Sequence, residues 1–165
     1  MRKLVVASVA GLVVLAGVPP ASAQPIRCGG RRATIVGLPG ADTLVGTPRD
    51  DVFHGLGGHD TIAGRGGDDL VCTGHKGATV AGGPGDDHVI GGPGYDGVRG
   101  GPGADVLDGR GERDVLAGGA GADVLRGGPG YDVLVGQGGG DRLAGYKDAD
   151  ALEGGPGTDV LHGGP

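Results

Sequence analysis

Aromatic residues are scarce in this sequence: 165 residues include one Phe, three Tyr and no Trp. An ordinary aromatic core is therefore excluded, because so few large rings cannot fill the interior of a domain. Glycine and proline are abundant instead, with 43 Gly and 11 Pro. Since glycine loses more conformational freedom on folding than any other residue, an interaction besides hydrophobic burial must offset that cost.

Serine and asparagine are absent from residues 24–165, so a serine triad is impossible there. The chain has five histidines: His54, His59, His75, His88 and His162. They occupy four different positions of the repeat described below, and no two share a predicted face at metal-ligand spacing. We interpret them as solvated surface side chains. Paired carboxylates could mimic a glycosidase, but the carboxylates have another role in the repeat. We predict that the protein is not an enzyme.

Residues 1–23 have the features of a secretory signal peptide. Arg2 and Lys3 form a short positive start, an apolar run of 15 residues extends from Leu4 to Val18, and Ala21-Ser22-Ala23 is a small-residue cleavage box. The apolar run is shorter than the roughly 20 residues that cross a bilayer. We predict cleavage after Ala23 and a secreted, extracellular protein without a membrane span.

The predicted mature chain is acidic. Without Arg2 and Lys3, 12 basic residues oppose 20 acidic ones, so the net charge changes from −6 to −8. This balance excludes nucleic acid as a natural partner, since phosphate binding needs clustered Lys and Arg.

A nine-residue repeat organises the chain from Gly37 to His162, where it occurs 14 times without a gap. Its clearest copies read GGPGDDHVI, GGPGYDGVR and GGPGADVLD, beginning at Gly82. The eighth position is apolar in all 14 repeats, and the sixth is Asp in 13, with Ala78 as the exception. A flexible linker has no reason to keep this period. The sixth-position aspartates are Asp42, Asp51, Asp60, Asp69, Asp87, Asp96, Asp105, Asp114, Asp123, Asp132, Asp141, Asp150 and Asp159.

The repeat predicts an all-β solenoid. Its first six residues are turn material and its last three form a very short strand, so two repeats make one coil of 18 residues. Seven coils at about 4.8 Å each give a stack about 34 Å long. We expect the eighth-position side chains to fill the space between two parallel sheets. Residues 37–165 form this roll, and residues 24–36 a metal-free N-terminal cap with Ile35 at the apolar position.

The pattern GGxGxD followed by x-apolar-x resembles the RTX (repeats-in-toxin) family, the hemolysin-type calcium-binding repeat. The resemblance extends from Gly37 to His162 and implies a right-handed parallel β-roll. It also implies that Ca²⁺ lies between loops of neighbouring coils, held by sixth-position carboxylates and loop carbonyls. Only the repeats are covered, so toxic or proteolytic activity is not implied.

The residues themselves also favour calcium. Stacked sixth-position carboxylates, about 5 Å apart, would repel each other in a partly desolvated loop, and a hard divalent cation reverses that interaction. Oxygen ligands on flexible glycine loops suit Ca²⁺ better than Mg²⁺. We predict multiple Ca²⁺ ions at the 13 aspartates, with about ten full sites from pairs 18 residues apart. The chain is expected to be largely unfolded without calcium and to fold on binding it.

Several loops depart from the pattern. The repeat from Thr73 to Ala81 is the poorest, and we predict a metal-poor defect there. The fourth position lacks glycine in four loops, where we expect a strained, positive φ: Arg49, Lys76, Glu112 and Asp148. The fifth-position acids are expected to contribute charge and a backbone carbonyl only: Asp50, Asp68 and Asp86.

Cys28 and Cys72 are expected to form a disulfide, since the chain is predicted to be exported and their spacing fits no zinc motif. An ideal roll would place their Cα atoms more than about 7 Å apart. Either the segment from Gln24 to Arg32 leaves the stack and folds over the outer sheet to reach Cys72, or the cysteines stay unpaired. We favour the first.

A calcium-dependent adhesion or partner-binding module is the alternative function, and a hydrolase or toxin fragment is less favoured. Adhesion is suggested by an apolar stripe of outward seventh positions: Val52, Leu70, Val106, Val124 and Val160. Nothing is predicted to cap Leu161, so end-to-end self-association or a cell-surface partner is also considered.

Overall fold

The computed structural model of the protein describes residues 4–6 and 24–165. The predicted signal peptide, residues 1–23, lies outside the described residues except for Leu4–Val6, which form strand β1. Within the described part of the chain, no helix has the length and apolar character needed to cross a membrane.

Two eight-stranded sheets form the body of the protein. Sheet 1 contains, in spatial order, β1 (Leu4–Val6), β5 (Thr43–Val45), β7 (Asp60–Ala63), β9 (Ala78–Ala81), β11 (Gly97–Pro102), β13 (Val115–Ala120), β15 (Val133–Gly138) and β17 (Ala151–Glu153). Sheet 2 contains β4 (Ile35–Val36), β6 (Val52–His54), β8 (Leu70–Cys72), β10 (His88–Ile90), β12 (Val106–Asp108), β14 (Val124–Pro129), β16 (Arg142–Lys147) and β18 (Val160–His162).

Successive strands of the chain from β4 to β18 alternate between the sheets, and neighbours within a sheet are parallel. In sheet 2, for example, Val89 pairs with Val71 on one side and Leu107 on the other, which are 18 residues away in each direction. Most strands are short because glycine-rich turn residues surround the three residues that were predicted to extend. Strands β11, β13, β14, β15 and β16 are longer than predicted, with six residues each, because they continue into the following turn. The predicted all-β solenoid of about seven turns is confirmed.

The eighth-position side chains form a single file between the two sheets. Leu107, Leu116, Leu125 and Leu134 are each fully buried. The file continues to Ile35 at the N-terminal side, and Leu152 packs partly buried at the other. Since alternate residues of a strand face opposite sides of a sheet, one apolar residue in every nine is enough to fill this interior. The largest side chain in it is Phe53.

A short antiparallel hairpin covers the outer face of sheet 2. It consists of β2 (Arg27–Cys28) and β3 (Arg31–Arg32). Cys28 and Ala33 pack there on Val52 and Leu70 in a second buried cluster, separate from the main file. The predicted apolar stripe is therefore wrong at Val52 and Leu70, because the hairpin buries both.

The hairpin also brings together the two cysteines. Cys28 forms a disulfide with Cys72, with Cα atoms 5.6 Å apart. Although residues 28–36 fit the nine-residue frame, residues 27–32 form an antiparallel hairpin on the outside of sheet 2 instead of adding a coil to the stack. The geometry matches the favoured arrangement, in which residues 24–32 fold over the outer sheet. Ile35 and Val36 then pair with Phe53 and His54 at the edge of sheet 2.

Candidate functional site

The sixth-position aspartates form two hydrogen-bonded columns along the stack. In each link, a backbone N–H donates to Oδ1 of the aspartate 18 residues further on. The Asp87 N–H, for instance, donates to Asp105 Oδ1 at 2.8 Å, and the Asp105 N–H donates to Asp123 Oδ1 at 2.8 Å. Ala78 takes part through its N–H, which donates to Asp96 Oδ1 at 2.7 Å. The structure thus brings together the aspartates that the nine-residue frame pairs.

The second oxygen of most of these carboxylates has no partner. Among the described residues, nine buried Oδ2 atoms make no hydrogen bond. Leaving a buried carboxylate oxygen unsatisfied is costly, because the group has lost water without gaining a donor. These nine atoms therefore mark positions where a cation would be stabilised. They belong to Asp60, Asp69, Asp87, Asp105, Asp114, Asp123, Asp132, Asp141 and Asp150.

Burial and mutual repulsion disfavour the charged form of these groups. Burial raises the pKa of Asp69 to about 6 and that of Asp87 and Asp105 to about 7. The pKa of Asp114 is raised to about 8, first by burial and then by the neighbouring carboxylates of Asp96 and Asp132. Burial also raises the pKa values of three further aspartates in the columns: Asp60, Asp123 and Asp132.

In three loops, a backbone N–H of the loop donates a hydrogen bond to the second carboxylate oxygen of the loop's own aspartate. The N–H of the second repeat residue donates to Oδ2 within the same loop: Leu38 to Asp42 at 2.6 Å and Thr47 to Asp51 at 2.7 Å. Gly92 does the same for Asp96 at 3.0 Å. In most other loops the second residue has a positive φ, which turns its N–H away from the carboxylate. This difference cannot be predicted from the repeat, because glycine at the second position occurs in both kinds of loop.

At the defective repeat, a hydroxyl supplements the missing donors. Thr73 is fully buried and its Oγ1 donates to Asp96 Oδ2 at 3.4 Å. Asp96 consequently receives three hydrogen bonds, from Ala78, Gly92 and Thr73. Burial still raises the pKa of Asp96, although these donors oppose the shift. The sequence pointed to a defect at Thr73–Ala81, but not to the hydroxyl that fills it.

The fifth-position acids form a ladder of their own. Asp50 Oδ1 accepts the N–H of Asp68, Asp68 Oδ1 accepts that of Asp86, and Asp86 Oδ1 accepts that of Ala104. The expectation that these residues offer only a backbone carbonyl was wrong. Their side chains point toward the following coil, whereas those of the sixth position accept from the preceding one. The coils of Asp68 and Asp86 are thereby linked to both neighbours by carboxylate side chains.

The predicted positive φ at the fourth position holds for two of the four non-glycine residues. Glu112 has a φ of 65° and Asp148 of 75°. Arg49 and Lys76 are not left-handed, and in the loop of Lys76 the positive φ moves to Gly77, at 87°. The same conformation occurs at non-glycine second positions, which the sequence did not predict. These are Leu56, Arg65, Arg110, Gln137 and Tyr146.

A separate groove lies where the strands of sheet 2 enter the loops of the defective region. Its volume is about 460 Å³, and its walls include His54, His75, Ile90 and Arg110. His54 and His75 therefore border the same groove, although they occupy different positions of the repeat. Burial lowers the pKa of His54, with His75 as a second cause. The described residues hold no cluster of three or more His, Cys, Asp or Glu side chains arranged for a metal.

The model of the RTX calcium-binding nonapeptide repeat family matches four segments, residues 36–71, 79–98, 99–134 and 135–165. The chain belongs to this RTX family. The matched segments leave out residues 72–78, which include Thr73 and Ala78. No curated protein matches the chain. RTX repeats are calcium-binding, and the coiled fold described above agrees with that role.

The residues of the two columns fit Ca²⁺. The nine unpartnered Oδ2 atoms supply hard, anionic oxygen ligands. Since no group of three acidic side chains converges within the described residues, other oxygens must complete the coordination, and backbone carbonyls of the glycine loops are available. Calcium accepts six to eight oxygens in irregular geometry, including carbonyls and water.

Proposed function

We propose that this RTX protein is a secreted calcium-binding protein whose β-roll is completed by multiple Ca²⁺ ions. The observation that carries the proposal is the set of nine buried, unpartnered carboxylate oxygens in register along the stack. The 13 sixth-position aspartates of the sequence are the proposed ligand residues. Asp42, Asp51 and Asp96 are the weaker members, because their Oδ2 atoms already accept hydrogen bonds within the protein.

Calcium supplies the positive charge that offsets the repulsion along each column. The protein itself positions the carboxylate oxygens and keeps the space beside them open. The N–H ladder holds Oδ1 of each carboxylate in place, so Oδ2 is oriented before a cation arrives. The first-position glycine lies beside Oδ2: a Cβ built at Gly82 would collide with the Asp87 carboxylate. Glycine therefore keeps open the space next to the oxygen.

Folding on calcium binding follows from the small size of the core. One aliphatic side chain in every nine residues cannot by itself offset the ordering of a glycine-rich chain. Ionised carboxylates in the columns add a further cost, which binding of a cation to the folded state removes. Secretion is supported by the sequence of residues 1–23, and extracellular calcium concentrations suit sites of moderate affinity.

A calcium titration followed by far-ultraviolet circular dichroism tests the proposal. We expect a weak sheet signal in EGTA, a cooperative gain on adding Ca²⁺, and much less gain with Mg²⁺ at the same concentration. A matched control is the same titration on a variant with the nine aspartates changed to Asn, which should not respond. A full sheet spectrum and a cooperative melt in EGTA would contradict the proposal.

A second candidate is calcium-dependent association through the last coil. Val160 and Leu161 on β18 are 45 % and 43 % exposed, whereas the equivalent Leu143 one coil earlier is 1 % exposed. Uncovered strands favour pairing with another chain. Sedimentation velocity with and without calcium tests this function. Association in calcium that is lost on Leu161→Glu would support it, and a monomer at all concentrations would exclude it.

A further inference from the structure

The first coils hold contacts that need no cation. The hairpin buries Cys28 and Ala33 against Val52 and Leu70, which adds a second apolar layer outside sheet 2. The Cys28–Cys72 disulfide closes a separation of 44 residues across the same region. Such a bridge stabilises by restricting the unfolded chain, whether or not calcium is present. The coils beyond β12 have neither a bridge nor a covering segment among the described residues.

The sixth-position carboxylates also differ between the first coils and the later ones. Asp42, Asp51 and Asp96 have Oδ2 atoms that accept backbone N–H groups of their own loops. From Asp105 to Asp150, every sixth-position Oδ2 is buried without a partner. Three unpartnered oxygens also fall in the first coils, at Asp60, Asp69 and Asp87. There the bridge and the second apolar layer offset their cost, and in the later coils nothing comparable does.

In the middle of one column, Thr73 and Ala78 create a position where no cation is needed to balance a carboxylate. Ala78 replaces a carboxylate, so Asp60 and Asp96 have no charged neighbour between them. The Thr73 hydroxyl donates to Asp96 Oδ2, the atom that stays unpartnered in the equivalent loop at Asp114. Thr73 directly follows the bonded Cys72, so this hydrogen bond is made by a segment that the disulfide already holds. We call the Thr73–Asp96 pair the clasp.

We propose that residues 26–102 form a calcium-independent seed, on which the coils from residue 105 onward assemble when calcium binds. The proposal rests on the proposed function, since it divides the roll into a part that calcium orders and a part that is folded beforehand. The seed presents β10 and β11 as ready strand edges. Each later coil then adds to an existing template, which avoids the unfavourable first step of forming an isolated coil.

Hydrogen exchange with mass spectrometry on the oxidised protein tests the seed. In EGTA we expect peptides from β6, β8 and β10 to exchange at least about tenfold more slowly than peptides from β14, β16 and β18. Calcium should extend the protection to the later coils. Equal exchange in both regions in EGTA would overturn the seed. Failure of calcium to protect residues 105–162 would instead refute the proposed function, and it would do so whatever the first coils show.

Variants of the clasp test its part in the seed. Thr73→Val removes the hydroxyl at nearly constant volume, and Thr79→Val is a matched control because Thr79 is exposed on the same repeat. We expect Thr73→Val to speed exchange of β8 and β10 in EGTA severalfold and Thr79→Val to leave it unchanged. Both variants should be protected throughout in calcium, which shows that they fold. Equal exchange of the two variants in EGTA would overturn the clasp.

The reverse change restores the repeat. Thr73→Gly with Ala78→Asp returns the first and sixth positions to the letters of the other loops. We expect this double variant to bind more calcium per chain than the natural protein and to lose protection of β8 and β10 in EGTA. Unchanged calcium binding together with unchanged protection would contradict the assignment of Thr73 and Ala78 to a cation-free position.

Discussion

Asp87 donates its backbone N–H to Oδ1 of Asp105 across a distance of 2.8 Å, and Oδ2 of Asp105 is buried without a partner. The two oxygens of one carboxylate therefore have different roles. Oδ1 fixes the position of the preceding coil, and Oδ2 is directed toward the first-position glycine of its own loop. A substitution that keeps Oδ1 and removes the charge can separate these roles.

Asp105→Asn is such a substitution, because asparagine retains a carbonyl oxygen that can accept the Asp87 N–H. We expect it to raise the calcium midpoint of folding by about tenfold, or about 1.4 kcal/mol, since the anionic ligand is lost from mid-stack. Asp159→Asn is the control, because Asp159 is linked to one neighbour only, at 2.9 Å from the Asp141 N–H. Equal midpoints for both variants, measured by circular dichroism, would contradict the nearest-neighbour argument.

The number of bound ions is a second prediction. Counting aspartate pairs in the sequence gives about ten sites, and the structure offers nine buried, unpartnered oxygens. Isothermal titration calorimetry should therefore give about nine or ten Ca²⁺ per chain. A result of two or three would mean that most of the columns do not bind calcium. Titration of Asp42→Asn should leave the number nearly unchanged, because its Oδ2 is already satisfied by Leu38.

The calcium-free protein should become less stable as the pH rises. The pKa values of Asp69, Asp87 and Asp114 are raised from 3.8 to about 6, 7 and 8. Below pH 3.8 these groups are protonated in both states, so there is no penalty; above the folded-state pKa values the full cost of ionisation opposes folding. We expect the sheet signal that remains in EGTA, measured by circular dichroism, to fall between about pH 4 and pH 8. A rise over that range would contradict the assignment.

In saturating calcium the trend should reverse, since protons and calcium compete for the same oxygens. The apparent calcium affinity is expected to increase over the same pH range. The control is Glu153→Gln, which removes an exposed carboxylate at a ninth position outside the columns. It should leave both trends unchanged.

The repeat allowed most of the fold to be predicted. One fixed period determines which residues meet, so the pairing of Val89 with Leu107 follows from the frame alone. The conformation of the loops could not be predicted in this way. Gly83 is left-handed at φ 121° and Gly92 is not, although both are second-position glycines followed by proline. In the loop of Gly92, Asp96 Oδ2 accepts both the Gly92 N–H and the hydroxyl of Thr73 from the preceding coil. The second of these contacts joins different coils, so a single repeat does not encode it.

The N-terminal cap was harder to predict for a similar reason. Residues 28–36 fit the nine-residue frame, and only the pairing of Cys28 with Cys72 indicated that the segment leaves the stack. Val52 and Leu70 are buried because this segment crosses the outer face of sheet 2. An outward-facing position in the repeat is exposed only where no later or earlier segment crosses it, which the local pattern does not specify.

Removal of the disulfide should destabilise the calcium-bound protein. The bridge closes a separation of 44 residues, for which the chain-entropy relation gives about 4 kcal/mol. We expect the variant Cys28→Ser/Cys72→Ser to lose a large part of that free energy of unfolding in chemical denaturation. Adding a reductant should shift the natural protein in the same direction and leave the variant unaffected. An unchanged denaturation midpoint in the variant would show that the bridge contributes nothing.

Glycine is required at Gly101 by its neighbours as well as by its backbone. It has a φ of 132°, and a Cβ built there would collide with the carbonyl oxygen of Gly83 in the preceding coil. Gly101→Ala must therefore strain the backbone and separate two coils, at a cost of about 2–3 kcal/mol.

Gly97→Ala is the matched control, because a Cβ at Gly97 meets nothing within 4 Å. In calcium, thermal unfolding should show Gly101→Ala clearly destabilised and Gly97→Ala close to the natural protein or slightly more stable. Equal effects of the two substitutions would mean that the coils can move apart without cost, and the close stacking on which the aspartate columns depend would then be wrong.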